Sequence, residues 1–145
     1  MSEISGKHEE LLRSSQELGV TSRLLPDNEG AEYIRLVLER YKPVKTNGDL
    51  WIYHDSVSVP LEEHEFTYTT YLGCEAAFVF FEQSWPDKNM VVVIEDGSRL
   101  GAVLDNCYGL EYFVSNDKME YLLAVNWYVI EGAGSAVEWL KKLQP

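Results

Sequence analysis

Apolar positions recur along this chain first with helical and then with strand spacing. Over about Ser5 to Leu18, Leu11, Leu12, Ser15 and Leu18 share one side, and most other positions are Lys, Glu, Arg or Gln. This is a thin amphipathic helix, with Gly19 as its stop and His8 expected on the solvated face. A second helix is marked by Tyr33, Ile34, Val37, Leu38 and Tyr41, which follow the i, i+1, i+4, i+5, i+8 pattern of one face. Pro26 and Asp27 place its start. Pro43 ends it, because the residue before a proline is pushed out of the helical region. Lys45 to Asp49 is a polar connector.

From Leu50 the period shortens. Leu50 to Tyr53 and then Ser56 to Val59 read as strand, and Phe66 to Leu72, rich in Tyr and Thr, favours strand too. A helix entering Cys74 to Ala77 is the alternative for that stretch. Ala77 to Phe81 and Met90 to Ile94 are short continuous apolar runs, the mark of strands covered on both faces, joined through a loop at Ser84 to Lys88. Leu100, Val103, Leu104 and Cys107 then recur as a short helix, with Ser98 as its expected cap and Gly109 near its end. Leu110 to Val114 and Met119 to Val125 flank a polar turn and predict a hairpin. Gly132 to Ser135 reads as a loop, and Ser135 with Glu138 as a capping box opening a last helix through Leu140 and Leu143.

The predicted class is α+β. It comprises a mainly antiparallel sheet of about five to six strands, two N-terminal helices, one inserted helix and a C-terminal helix. At 145 residues, 46% hydrophobic and 25% charged, the chain suits one ordered domain over 1–145. Within it, 1–48 is a helical segment and 49–145 a sheet-bearing body.

Charge sharpens this picture. The net value is −12. Met1 to Gly48 holds 8 acidic and 7 basic residues, whereas Asp49 to Glu138 holds 16 acidic and 3 basic. The acidity therefore belongs to the body and is interleaved with apolar runs, as on the outside of a folded sheet. Such a surface repels phosphates, so nucleic-acid and anionic-membrane partners are excluded from the expectation. Neither a secretory signal nor an apolar span of bilayer length is visible, and a cytoplasmic location is expected. Cys74 and Cys107 have no motif spacing and read as reduced core thiols.

Candidate chemistry is sparse. Glu62, Glu63, His64 and Glu65 form the densest polar cluster, with His54 and Asp55 upstream. No array has metal-ligand spacing, no serine elbow is present, and Gly132 to Ser135 lacks the spacing and the lysine of a phosphate loop. Neither a metal nor a cofactor is expected. Trp51, Trp85, Trp127 and Trp139, with nine Tyr and five Phe, are the second unusual feature. Most of these are expected in the core, and an exposed set ringed by carboxylates would have the composition of a protein interface.

The stretches Tyr71-Leu72-Gly73, Phe78 to Glu82, Ile94 to Gly97 and Cys107 to Val114 resemble small uncharacterised bacterial cytoplasmic proteins. The ending Asn126-Trp127-Tyr128 through Gly132, Ala136 and Trp139-Leu140 is similar too, so the resemblance covers about residues 50 to 142. Proteins of this size and acidity look like the immunity partners of polymorphic toxins. The resemblance is one of pattern and brings no catalytic motif. It implies a non-enzymatic protein that occludes a basic toxin by charge complementarity. The candidate contacts are Glu62, Glu63, Glu65, Trp85, Asp87, Glu95 and Asp96. Two other readings remain at this point. One is a small enzyme or small-molecule binder using His54 or His64 with Glu63. The other is a homodimeric structural subunit.

Overall fold

A computed structural model describes residues 6–144. Seven strands form one antiparallel sheet: β1 (Ser22–Leu24), β2 (Ser56–Pro60), β3 (Ala77–Phe80), β4 (Val91–Ile94), β5 (Tyr112–Ser115), β6 (Tyr121–Val125) and β7 (Val129–Gly134). Their order across the sheet is β1-β4-β3-β5-β6-β7-β2. Five helices accompany them: α1 (Lys7–Glu17), α2 (Asp27–Tyr41), α3 (Leu61–His64), α4 (Leu100–Asp105) and α5 (Ala136–Leu143). The fold is α+β with an antiparallel sheet, as the sequence predicts, and the strands number seven.

Alternation within the strands builds two cores. Val79, Val92, Val114, Leu123 and Ile130 point to one face and pack with Leu11 of α1, Leu100 and Val103 of α4, and Leu140 of α5. Phe78, Phe80, Val93, Phe113 and Leu122 point to the other face. There they meet Tyr33, Ile34 and Val37 of α2, together with Leu50 and Ile52. Covering both faces explains why the central strands read as unbroken apolar runs.

Several expectations are corrected. Leu50 to Tyr53 is no strand of the sheet. It belongs to an extended strap, Val44 to Asp55, lying over the α2 face, with one isolated bridge between Lys45 and Trp51. Phe66 to Leu72 is not a strand either: Tyr68–Leu72 is a 3₁₀ helix. Its fully buried Tyr68 hydroxyl meets that of Tyr112 at 2.6 Å. The expected loop at Gly132 to Ser135 lies largely inside β7. Gly132 is needed there because a Cβ would stand 2.9 Å from Ala136 and Leu140 of α5. β1 was also outside the expectation.

The caps differ as well. Asp96, not Ser98, caps the 3₁₀ turn Gly97–Arg99 that leads into α4, by accepting from the Ser98 N–H. Ser135 makes no side-chain cap, and its N–H is taken instead by the Glu120 carbonyl. Both cysteines are free thiols, with Cys74 exposed and Cys107 half-buried, so neither is a core residue. His8 is buried and not solvated. Ser5, the expected first residue of the opening helix, lies outside the described residues, as does Pro145.

Candidate functional site

The strand registers define two ends of the sheet. Phe80, Val91, Tyr112, Val125, Val129 and Pro60 all lie at one end. Loops 81–90, 106–111 and 126–128 leave from that end, and α3 follows β2 there. The strap begins beside the same loops. Thr46 accepts from the Gln83 N–H, and the Asn126 side chain donates to the Leu50 carbonyl.

Carboxylates fasten the strap where a neighbouring strand would normally do so. The Gly48 N–H donates to Glu82 and the Leu50 N–H to Glu111, at 3.4 and 3.2 Å. The Ile52 and Tyr53 N–H groups donate to the two oxygens of buried Glu131, at 2.7 and 2.8 Å. The Ser56 hydroxyl also donates to Glu131. Each backbone donor is satisfied by an acid reaching up from the sheet or a loop. With its amides held below, the strap turns Leu50 and Ile52 inward and presents Trp51 and Tyr53 outward. Their rings are 5.2 Å apart, edge to face.

This arrangement gathers the exposed aromatics. Trp85 is 75% exposed, Tyr108 83% and Tyr128 72%, and Trp51, Tyr53 and Trp127 are about half open or more. Trp85, Tyr108, Trp127 and Tyr128 stand on loops of one sheet end, and Trp51 and Tyr53 on the adjoining strap. Around them are Asp49, Glu62, Glu65, Asp105 and Glu111, none with an ion-pair partner among the described residues. Glu63 has only the neighbouring His64, at 3.7 Å. Of the nearby cations, Lys7 is engaged by Glu82 and Arg13 by Glu10 and Glu17, leaving Lys45 and Lys88.

The expected contact residues are divided by this geometry. Glu62, Glu63, Glu65 and Trp85 fall at the aromatic end. Asp87 is there too, but it is only 2% exposed, and its carboxylate holds the His8 ring at 2.7 Å and the His8 N–H at 3.1 Å. It presents no open charge to a partner. Glu95 and Asp96 lie at the opposite end, where Glu95 pairs with Arg23 and Asp96 holds Ser98. Sequence reading missed Tyr108, Trp127 and Tyr128 as exposed loop aromatics of one sheet end, and Trp51 and Tyr53 as the outward residues of the strap. Their signal was large aromatics in short polar loops, but their convergence depends on strand order.

Of the alternative acid–base groups the structure brings together only His64 and Glu63, at 3.7 Å, and leaves His54 apart from both. His54 precedes β2 and borders a hollow of about 270 Å³ with Arg40, Tyr41, Asp55 and Glu120. His64 and Glu63 follow β2 at its far end. An open groove of about 750 Å³ beside α2 is lined in part by Arg23, Glu29, Glu32, Tyr33 and Phe78. It contains none of these groups. Among the described residues no three His, Cys, Asp or Glu side chains are placed to hold a metal ion, and no helix is long and apolar enough to cross a membrane.

Local charge leaves its mark on titration. Partial burial raises Glu111 above the usual carboxylate range, and Asp49 and Glu82 push the same way. Glu65 is raised by burial and then by Asp105. Glu82 is lowered, chiefly by its hydrogen bond from Lys7. A carboxyl raised by folding contributes stability below the ordinary carboxylate range, and that contribution is lost as pH rises through its raised value. Glu111→Gln, which keeps an acceptor for Leu50, should therefore raise the urea midpoint at pH 7, with the gain vanishing towards pH 4. A lower midpoint at pH 7 would contradict this reading.

Compared with known proteins, the chain matches no family model, no curated protein and no solved structure.

Proposed function

We propose that this chain is a non-enzymatic binding module that covers a basic protein, in the manner of a toxin's immunity partner. Its binding surface is the aromatic sheet end with the adjoining strap. The observation that carries this reading is the concentration of exposed aromatics beside carboxylates that lack ion-pair partners. Aromatic side chains supply buried area at low entropic cost, and uncompensated acids steer a cationic partner and fix its register.

Affinity capture tests this directly. At low salt the chain should retain one cognate basic protein, released progressively as salt rises. The product of the adjacent reading frame is the first candidate. Trp85→Ala with Tyr108→Ala should abolish retention, since central aromatic truncations cost about 2 kcal/mol or more each. Glu95→Gln with Asp96→Asn, at the far end, should leave it intact. Retention unaffected by the aromatic pair, or no basic protein retained at any salt, would overturn the proposal.

A further inference from the structure

Trp127 differs from the other exposed aromatics in how it is held. Its six-membered ring lies so close over Gly109 that a Cβ there would stand 2.6 Å from Cζ3. The strap ties it to Glu111: the Asn126 side chain, next to Trp127, donates to the Leu50 carbonyl, and the Leu50 N–H donates to Glu111. The ring is thus oriented before any partner arrives, yet it remains 50% exposed. An aromatic fixed in this way loses little entropy on binding.

The carboxylate beside it is equally specific. One Glu111 oxygen holds the Leu50 N–H. The charged side chains that act on Glu111 are Asp49 and Glu82, both negative. Lys7 is taken up by Glu82, and the Lys45 amine lies near Gly48 on the strap. The result is a half-open indole beside Glu111, whose charged neighbours are Asp49, without an ion pair, and Glu82, paired with Lys7.

We infer that Trp127 and Glu111 form the receptor for an arginine side chain of the basic partner, its guanidinium stacked on the indole and hydrogen-bonded to Glu111 and Asp49. This inference rests on the proposed function and narrows it to one side-chain chemistry. A guanidinium is planar, weakly hydrated and forked, so one group meets both the ring face and a carboxylate. A lysine ammonium is a compact, strongly hydrated charge and fits only the electrostatic half of the site.

The probes are a short peptide carrying two arginines, its lysine counterpart and its citrulline counterpart. The readout is the indole N–H resonance of Trp127, assigned with Trp127→Phe. The arginine peptide should shift it saturably, the lysine peptide should bind about fivefold more weakly, and citrulline should leave it unmoved. Gly109→Ala displaces only an exposed ring and removes no charge, whereas Glu111→Gln removes the charge and keeps the ring. Each should weaken arginine binding about tenfold, with unchanged dispersion of the backbone spectrum. Equal shifts with arginine and citrulline, or indifference to both variants, would overturn the receptor. Capture of a basic protein that survives Trp127→Ala would remove the receptor alone, whereas failure of capture removes the broader reading.

Discussion

Replacing Glu131 with alanine should cost about 3 kcal/mol or more in unfolding free energy. It should also free the strap before the rest of the chain unfolds. Glu131 is a buried carboxylate on the strap-facing side of β7, and it accepts from two backbone amides and a serine hydroxyl. Alanine leaves the Ile52 and Tyr53 N–H groups without acceptors over an apolar face, where an unmade hydrogen bond is most expensive. Leu50 and Ile52, both fully buried, then lose the fastening that keeps them seated. Glutamine restores one acceptor oxygen and should fall between wild type and alanine. The checks are urea unfolding and amide exchange at Leu50 to Tyr53, which should accelerate ahead of exchange in β5 and β6. A loss below about 1 kcal/mol would mean that packing alone holds the strap.

Asp87→Ala should destabilise by about 2–4 kcal/mol, through the buried contact it makes with His8. One Asp87 oxygen serves both the His8 backbone N–H and the His8 ring. Removal leaves two buried polar groups of α1 unpaired and cuts a tie between that helix and the loop carrying Trp85. Lys7 with Glu82 remains as a second tie, at 2.9 Å and partly exposed, and contributes far less. A double-mutant cycle with His8→Ala isolates the pair, and a coupling near zero would refute the assignment. Because the affected loop belongs to the aromatic end, Asp87→Ala should also weaken partner capture without removing any exposed side chain.

How far the fold was legible in sequence depended on the origin of each pattern. The unbroken runs of β3 and β4 and the hairpin of β5 and β6 were readable because burial on both faces writes itself into consecutive residues. Leu50 to Tyr53 was read as a strand; its residues do alternate between buried and exposed, but in a strap outside the sheet. Nothing local says that its amides bond to the side chains of Glu82, Glu111 and Glu131. β7 was obscured by Gly132 and Gly134, whose presence looks like a loop. Gly132 in fact answers the close approach of α5, and an acid inside an otherwise apolar and small run was the unused clue. Tyr68 to Leu72 shows tertiary packing overriding β propensity: Tyr68 is committed to Tyr112, and α4 approaches so closely at Gly101 that a Cβ there would run into the Phe66 carbonyl.

The site was half legible for a similar reason. Counting charges treats every acid alike, whereas Asp87 and Glu131 are internal and Glu82 and Glu10 are engaged by Lys7 and Arg13. What reaches a partner is the remainder, and only topology selects it. The aromatics were visible as a composition. Their gathering at one end follows from an antiparallel order that alternate pairings of the same runs would have scattered.

The strand order also bears on how the chain reaches its native state during synthesis. The five inner strands come from residues 77–134 and pair mostly with sequence neighbours, whereas both rims of the sheet come from earlier in the chain: Ser22 meets Ile94, and Ser56 meets Ala133. A ribosome therefore releases both rims, and the strap with its aromatics, before the surface they dock on exists. Until Glu131 emerges with β7, Ile52 and Tyr53 have no acid to hold them, although Gly48 and Leu50 can already meet Glu82 and Glu111. The Ile52 and Tyr53 amides wait on an acid 79 and 78 residues further along the chain, and chaperone demand should track that interval.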